Sequence, residues 1–142
     1  MRPKFQYILS FVPLTIGGVL YIAYRPLNLK MFHWFRLIGI EKFILDLREI
    51  FSSYTPPDFF IYNLPYGLWS FSFSSLLILI WKFKLEKGLF LYLIISFSLV
   101  IVPELLQYFE KIPGTFDLID VLTNTVCFFS PIFFLFYKSK YK

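Results

Sequence analysis

The stretch VPELLQYFEKIPGTFDLIDVLTNT, Val102 to Thr125, sets Glu104, Gln107, Asp117, Asp120 and Asn124 between two runs built almost wholly from Phe, Leu, Ile and Val. Pro113-Gly114 in its middle makes a tight turn, since proline presets the backbone and glycine tolerates the left-handed region. Two apolar segments joined this briefly run antiparallel as neighbours. Glu104 and Gln107 share one helix face, and Asp117, Asp120 and Asn124 form a stripe at i, i+3 and i+7 on the next helix. The stretch reads as the polar end of a hairpin of apolar helices whose two stripes can face one another.

The rest of the chain has the same apolar character. Of its 142 residues 58% are hydrophobic, 23% aromatic and only 16% charged, against about 45–50% apolar and about 25% charged in a soluble domain. A soluble fold of this size has too little interior to cover so much apolar surface. Four segments reach the roughly 20 residues that cross a hydrocarbon core about 30 Å thick. They are approximately Phe5–Tyr24, Ile61–Trp81, Gly88–Tyr108 and Phe116–Tyr137. Pro13 and Gly17-Gly18 in the first are tolerated inside a membrane. The expected fold is an all-α integral membrane bundle of four transmembrane helices, one domain over residues 1–142.

Between the first two segments, EKFILDLREIF places Phe43, Ile44, Leu47, Ile50 and Phe51 on one helical face. Glu41, Lys42, Asp46 and Glu49 fall largely on the other. This predicts an extracytoplasmic amphipathic helix lying in the interface, as a surface connector or as a lid over an outer cavity. Pro56-Pro57 ends it.

The positive charges orient the spans. Arg2 and Lys4, then Lys82, Lys84 and Lys87, then Lys138, Lys140 and Lys142 share one side of a four-span chain. The positive-inside rule makes that side the cytoplasm, with both termini in. The net charge of +5 is spent on these short flanks, and a nucleic-acid partner is not expected. Ala23 is the only alanine and has bulky neighbours, so the N-terminal run reads as a retained anchor rather than a cleaved signal. Cys127 is the only cysteine and forms no internal disulfide. His33 stands among aromatics without clustered ligands, so neither metal nor cofactor is expected. No GxSxG, Walker A, GxGxxG or HExxH pattern occurs.

Function is therefore sought among the polar residues. Asp117 follows Pro-Gly-Thr where an N-cap belongs, and Asp120 stands where it could close a capping box. Glu110 and Lys111 read as solvated turn residues. Glu104 and Asn124 lie deeper. A lone carboxylate in hydrocarbon costs at least about 2.5–3.5 kcal/mol, so it faces a partner or a wet cavity, or else serves as a clamp between helices. The serines of WSFSFSSLL are expected to hydrogen-bond within or between helices. Arg25 and Asn63 complete a candidate pocket with Glu104, Gln107, Asp117, Asp120 and Asn124, and Arg25 is expected to pair with Glu104 or Asp120.

The spacing Glu104-x2-Gln107, Pro113-Gly114, Asp117-x2-Asp120 and Asn124 resembles the C-terminal signature of the VanZ-like membrane protein family. DFFIYNLPYGLW resembles that family's earlier motif, with Asp58 or Asn63 before a span and Pro65, Tyr66 and Gly67 within it. Thr115 stands where the family has an arginine. Cys127 and Pro131 stand where it has glycines, which implies looser helix contact in that half of the last segment. The resemblance implies four spans in a bacterial inner membrane and a link to teicoplanin resistance without an established activity.

Three functions follow as expectations. The first is a protein of the cell envelope that binds membrane lipids or a lipid-linked envelope precursor at an outer-leaflet polar pocket. The second is a small accessory subunit that packs against other membrane proteins. The third is an intramembrane enzyme using Glu104 and Asp120 as acid and base.

Overall fold

The computed structural model describes residues 3–84 and 86–140, and the side chains of these except residues 3–6, 9 and 135–140. Arg2 and Lys142, used above for orientation, lie outside the described residues, as do the side chains of Lys4, Lys138 and Lys140.

The described chain is all-helical: α1 (Pro3–Tyr24), α2 (Lys30–Leu37), α3 (Glu41–Phe51), α4 (Leu64–Ile80) entered through a π-helical turn (Phe59–Asn63), α5 (Lys87–Tyr108) and α6 (Leu118–Lys140). Two helices, Phe59–Ile80 and Lys87–Tyr108, are long and apolar enough to cross a membrane. Ser10–Tyr24 and Leu118–Phe134 are shorter apolar helical stretches over the described residues.

Helix α4 is the centre, packed most extensively against α6 on one side and α1 on the other. Its middle is small and polar rather than greasy. Gly67, Ser70, Ser72, Ser74 and Ser75 are all buried, which lets neighbouring backbones approach closely. A Cβ on Gly67 would stand 2.6 Å from Thr123 Cγ2 and 3.1 Å from Cys127 Sγ, and one on Gly17 would stand 2.8 Å from Trp69 Nε1. Ser72 and Ser74 bond back to the carbonyls of Leu68 and Phe71, at 2.8 and 3.1 Å. Helices α4 and α6 run parallel, since Asn63 meets Asp117 and Asp120 while Ser70 meets Asn124.

At the other end of the bundle, Leu77, Ile78, Leu89, Leu93, Phe128 and Ile132 form the apolar core. Phe128 is fully buried there. The looser contact expected from the absent glycines is thus not found against α4, where Gly67 on the facing helix supplies the missing space. Between α5 and α6 the contact is open, and a cavity of about 410 Å³ remains. The α4–α5 turn uses left-handed backbone at Lys82 and Phe83, with φ of 50° and 61°. The α5–α6 hairpin closes at its far end with the Tyr108 and Phe116 rings 5.2 Å apart.

The amphipathic helix forms over the expected residues, but its apolar face is divided. Ile44 is buried, and Leu47 and Phe51 are half-buried, with Phe51 against Tyr24 of α1. Phe43 and Ile50 point outward, 66% and 72% exposed. A single helix cannot seat residues that span so wide an arc on one neighbour, so part of the stripe stays free. Helix α2, which carries the exposed His33, was not expected; its eight residues turn the chain between α1 and α3.

Candidate functional site

The C-terminal end of α1, the start of α4, the end of α5 and the start of α6 meet at one end of the bundle, beside α3. Most of the candidate residues gather here because they sit at or near helix ends, where unpaired backbone groups call for polar partners.

Asp117 is the N-cap of α6: its Oδ1 accepts from the Ile119 backbone N–H at 2.8 Å. Its other oxygen accepts from Asn63 Nδ2 at 2.9 Å. The same Asn63 amide donates its second proton to Asp120 Oδ1, also at 2.9 Å. Asp120 therefore does not close a capping box on its own helix; it is held by α4. A buried amide supplying both protons to two carboxylates ties two helices together and offsets the carboxylates' mutual repulsion. The π-helical turn just before α4 is what brings Asn63 to this position, and such single turns recur where a side chain must be re-aimed.

Glu104 reaches the same cluster from α5. It lies within electrostatic reach of Asp117 and Asp120, and the Asp117 backbone N–H faces its carboxylate. Its Oε2 is buried without a hydrogen-bond partner. Asn124 lies deeper, and its Oδ1 accepts from the Ser70 hydroxyl at 2.8 Å in a fully buried bond, so this part of the stripe is a clamp between α4 and α6. Gln107 is set apart: its side chain packs over Gly114, whose φ of +139° and lack of a Cβ make room for it.

The expected ion pair of Arg25 with Glu104 or Asp120 is not formed; the ion pair among the described residues is Arg36–Glu41, at 2.8 Å. Arg25 Nη2 instead donates to the Tyr66 hydroxyl at 3.1 Å. Its guanidinium lies 5.4, 4.9 and 5.7 Å from the ring centroids of Tyr21, Tyr62 and Tyr66. A guanidinium is weakly hydrated and stacks well on aromatic faces, so the tyrosine cage holds it without a carboxylate. Arg25 still acts on Asp120 through space, and its Nε is buried with no partner. The cage had a signal in the sequence, since Tyr21 and Arg25, and again Tyr62 and Tyr66, are four residues apart.

Arg48 was not among the expected site residues. From α3 it donates to the Ile22 and Arg25 carbonyls at 2.7 and 2.9 Å, a cation satisfying the open end of α1. This pins α3 over a cavity of about 600 Å³ whose wall includes Tyr24, Glu49, Asp58 and Tyr62. Glu110 and Lys111 are exposed, as expected of the turn. Among the described residues, no three of His, Cys, Asp and Glu are placed to hold a metal ion.

The site thus consists of one amide bridging two carboxylates, a third carboxylate within electrostatic reach of both, and a caged guanidinium nearby. Two of its polar atoms, on Glu104 and Arg25, are left without partners. No protein-family model, no curated protein and no solved structure matches the chain.

Proposed function

We propose that the chain is a VanZ-like integral membrane protein with four crossings, which binds the head group of a lipid or lipid-linked envelope component at the outer face of a bacterial inner membrane. The membrane setting rests on α5. It is the more apolar of the two helices long and apolar enough to cross a membrane among the described residues, yet only 17% of its most apolar stretch is buried within the protein. A soluble protein hides such a helix, because each large aliphatic side chain left in water forgoes about 1.5–3 kcal/mol. Lipid removes that cost. Helices α1 and α6 contain 22 and 23 residues, and at 1.5 Å per residue each measures about 33–35 Å, which supports crossings by these two as well. Lys82, Lys84 and Lys87 at the opposite end from the carboxylates favour both termini in the cytoplasm.

The single observation that carries the head-group reading is the buried, unpartnered Glu104 Oε2. With three carboxylates in one cluster and the nearby guanidinium held by tyrosines rather than by them, the cluster suits a ligand that brings positive charge and N–H donors, such as an amine-bearing head group. Substituting Glu104→Gln and Asp120→Asn in the protein held in lipid nanodiscs tests it. Retention of phosphatidylethanolamine over phosphatidylcholine is expected to fall about tenfold, since a hydrogen bond to a charged group contributes about 1.5–3 kcal/mol. Unchanged retention with a stably folded variant would remove the reading.

The exposed face of α5 also favours the accessory-subunit reading, in which a membrane partner covers it. Purification in mild detergent separates the two: a partner that co-purifies in fixed proportion supports the subunit. The acid–base reading gains support from Glu104 and Asp120 lying in one cluster, and it requires turnover that is lost in both variants.

A further inference from the structure

The open side of the α5–α6 hairpin is at the lysine-bearing end, away from the carboxylates. Its cavity of about 410 Å³ is walled by Phe90, Ile94 and Phe97 of α5 and Phe129, Ile132 and Phe133 of α6. Among the described residues Ser98 is the one polar side chain in the wall, and its hydroxyl is already committed to the Ile94 carbonyl at 2.9 Å. None of its described lining residues calls for a hydrogen bond, so its occupant is an alkyl chain rather than a peptide or a polar ligand. Phenylalanine walls also disfavour a partner helix, because close helix contact in membranes relies on small residues.

The depth of the groove fits one leaflet. From Lys87 to Ser98 the helix rises about 16 Å, half of a hydrocarbon core about 30 Å thick. Lys87, Phe90 and Ile94 fall at i, i+3 and i+7, so the lysine stands over the mouth of the groove on the same face. Lys87 and the nearby Lys84 are both exposed. On the membrane reading above, we infer that this groove binds one acyl chain of an anionic phospholipid of the cytoplasmic leaflet, with the phosphate held at Lys84 and Lys87. Lipid acidity is recognised at the lysines and chain shape by the phenylalanines.

The test uses the full chain in nanodiscs containing phosphatidylglycerol or phosphatidylcholine that carries a photoactivatable acyl chain. Cross-links from the phosphatidylglycerol probe are expected to concentrate on the groove residues Phe90, Ile94, Phe97, Phe129 and Phe133 and to exceed those from phosphatidylcholine. In Lys84→Gln/Lys87→Gln, which leaves the core untouched, the excess should fall about fivefold for each lysine. Equal labelling by the two lipids, an excess that survives the lysine substitutions, or labels spread evenly over the opposite face (Leu91, Ile95, Leu99) overturns the inference while leaving the membrane reading intact. Protein–protein cross-links through the groove overturn it in favour of a second copy. Failure of the chain to enter the nanodiscs at all defeats both.

Discussion

Replacing Asn63 with leucine removes the amide that joins α4 to α6 while keeping nearly the same shape. In the native protein Asn63 Nδ2 donates to Asp117 and Asp120, each at 2.9 Å. Hydrogen bonds to charged groups contribute about 1.5–3 kcal/mol each, which sets an upper range near 3–6 kcal/mol for the pair. Both aspartates are half-buried, so water recovers part of the loss, and the apolar replacement gains from burial at a position only 5% exposed. The expected net cost is about 2–3 kcal/mol once these offsets are taken. Reversible unfolding in mixed detergent micelles measures it. The same substitution made in an Asp117→Asn/Asp120→Asn background should cost less than half as much, because the acceptors it orphans no longer carry charge. A cost within about 0.5 kcal/mol of zero, the scatter of an uncoupled surface change, would refute the bridge, as would an equal cost in both backgrounds.

Gly67→Ala should destabilise by about 1–3 kcal/mol, since the new methyl meets Thr123 Cγ2 at 2.6 Å; Thr123→Ser removes that methyl and should restore most of the loss in the same unfolding assay. Ser70→Ala leaves Asn124 Oδ1 without its donor and should cost about 1–2 kcal/mol, with a less-than-additive double variant Ser70→Ala/Asn124→Leu. Arg48→Met frees the end of α1; it should cost about 1–2 kcal/mol and speed hydrogen exchange over residues 41–51, where unchanged exchange would count against the pin.

The helices were legible because apolar length is written residue by residue. All four long helices begin and end within about three residues of the expected boundaries, inside the ordinary uncertainty of helix ends. The amphipathic α3 was legible from its period, but which neighbour would take each part of its wide apolar arc was not, and Phe43 and Ile50 remain outside. The π-turn at Phe59–Asn63 had no signal of its own, since it arises from where α4 must place Asn63. Asp117 was readable as a cap because capping is local. Asp120 was not, because its partner lies on α4. Arg25 was assigned to a carboxylate by charge alone, when the nearer solution was three tyrosine rings at helical spacing. Local rules carried the elements; the site depended on pairings between different helices, 41 positions apart for Arg25 with Tyr66 and 54 and 57 for Asn63 with Asp117 and Asp120.

The central claim, that the carboxylate cluster and the lysine turn lie on opposite sides of a membrane, is open to one direct measurement. In a Cys127→Ala background, single cysteines at Glu110 and at Lys84, both exposed, are labelled with a membrane-impermeant maleimide in intact cells freed of outer barriers. The cysteine at 110 should react at once, and that at 84 only after the membrane is permeabilised. Equal labelling of both sites before permeabilisation, or recovery of the chain in the soluble fraction, would contradict the claim.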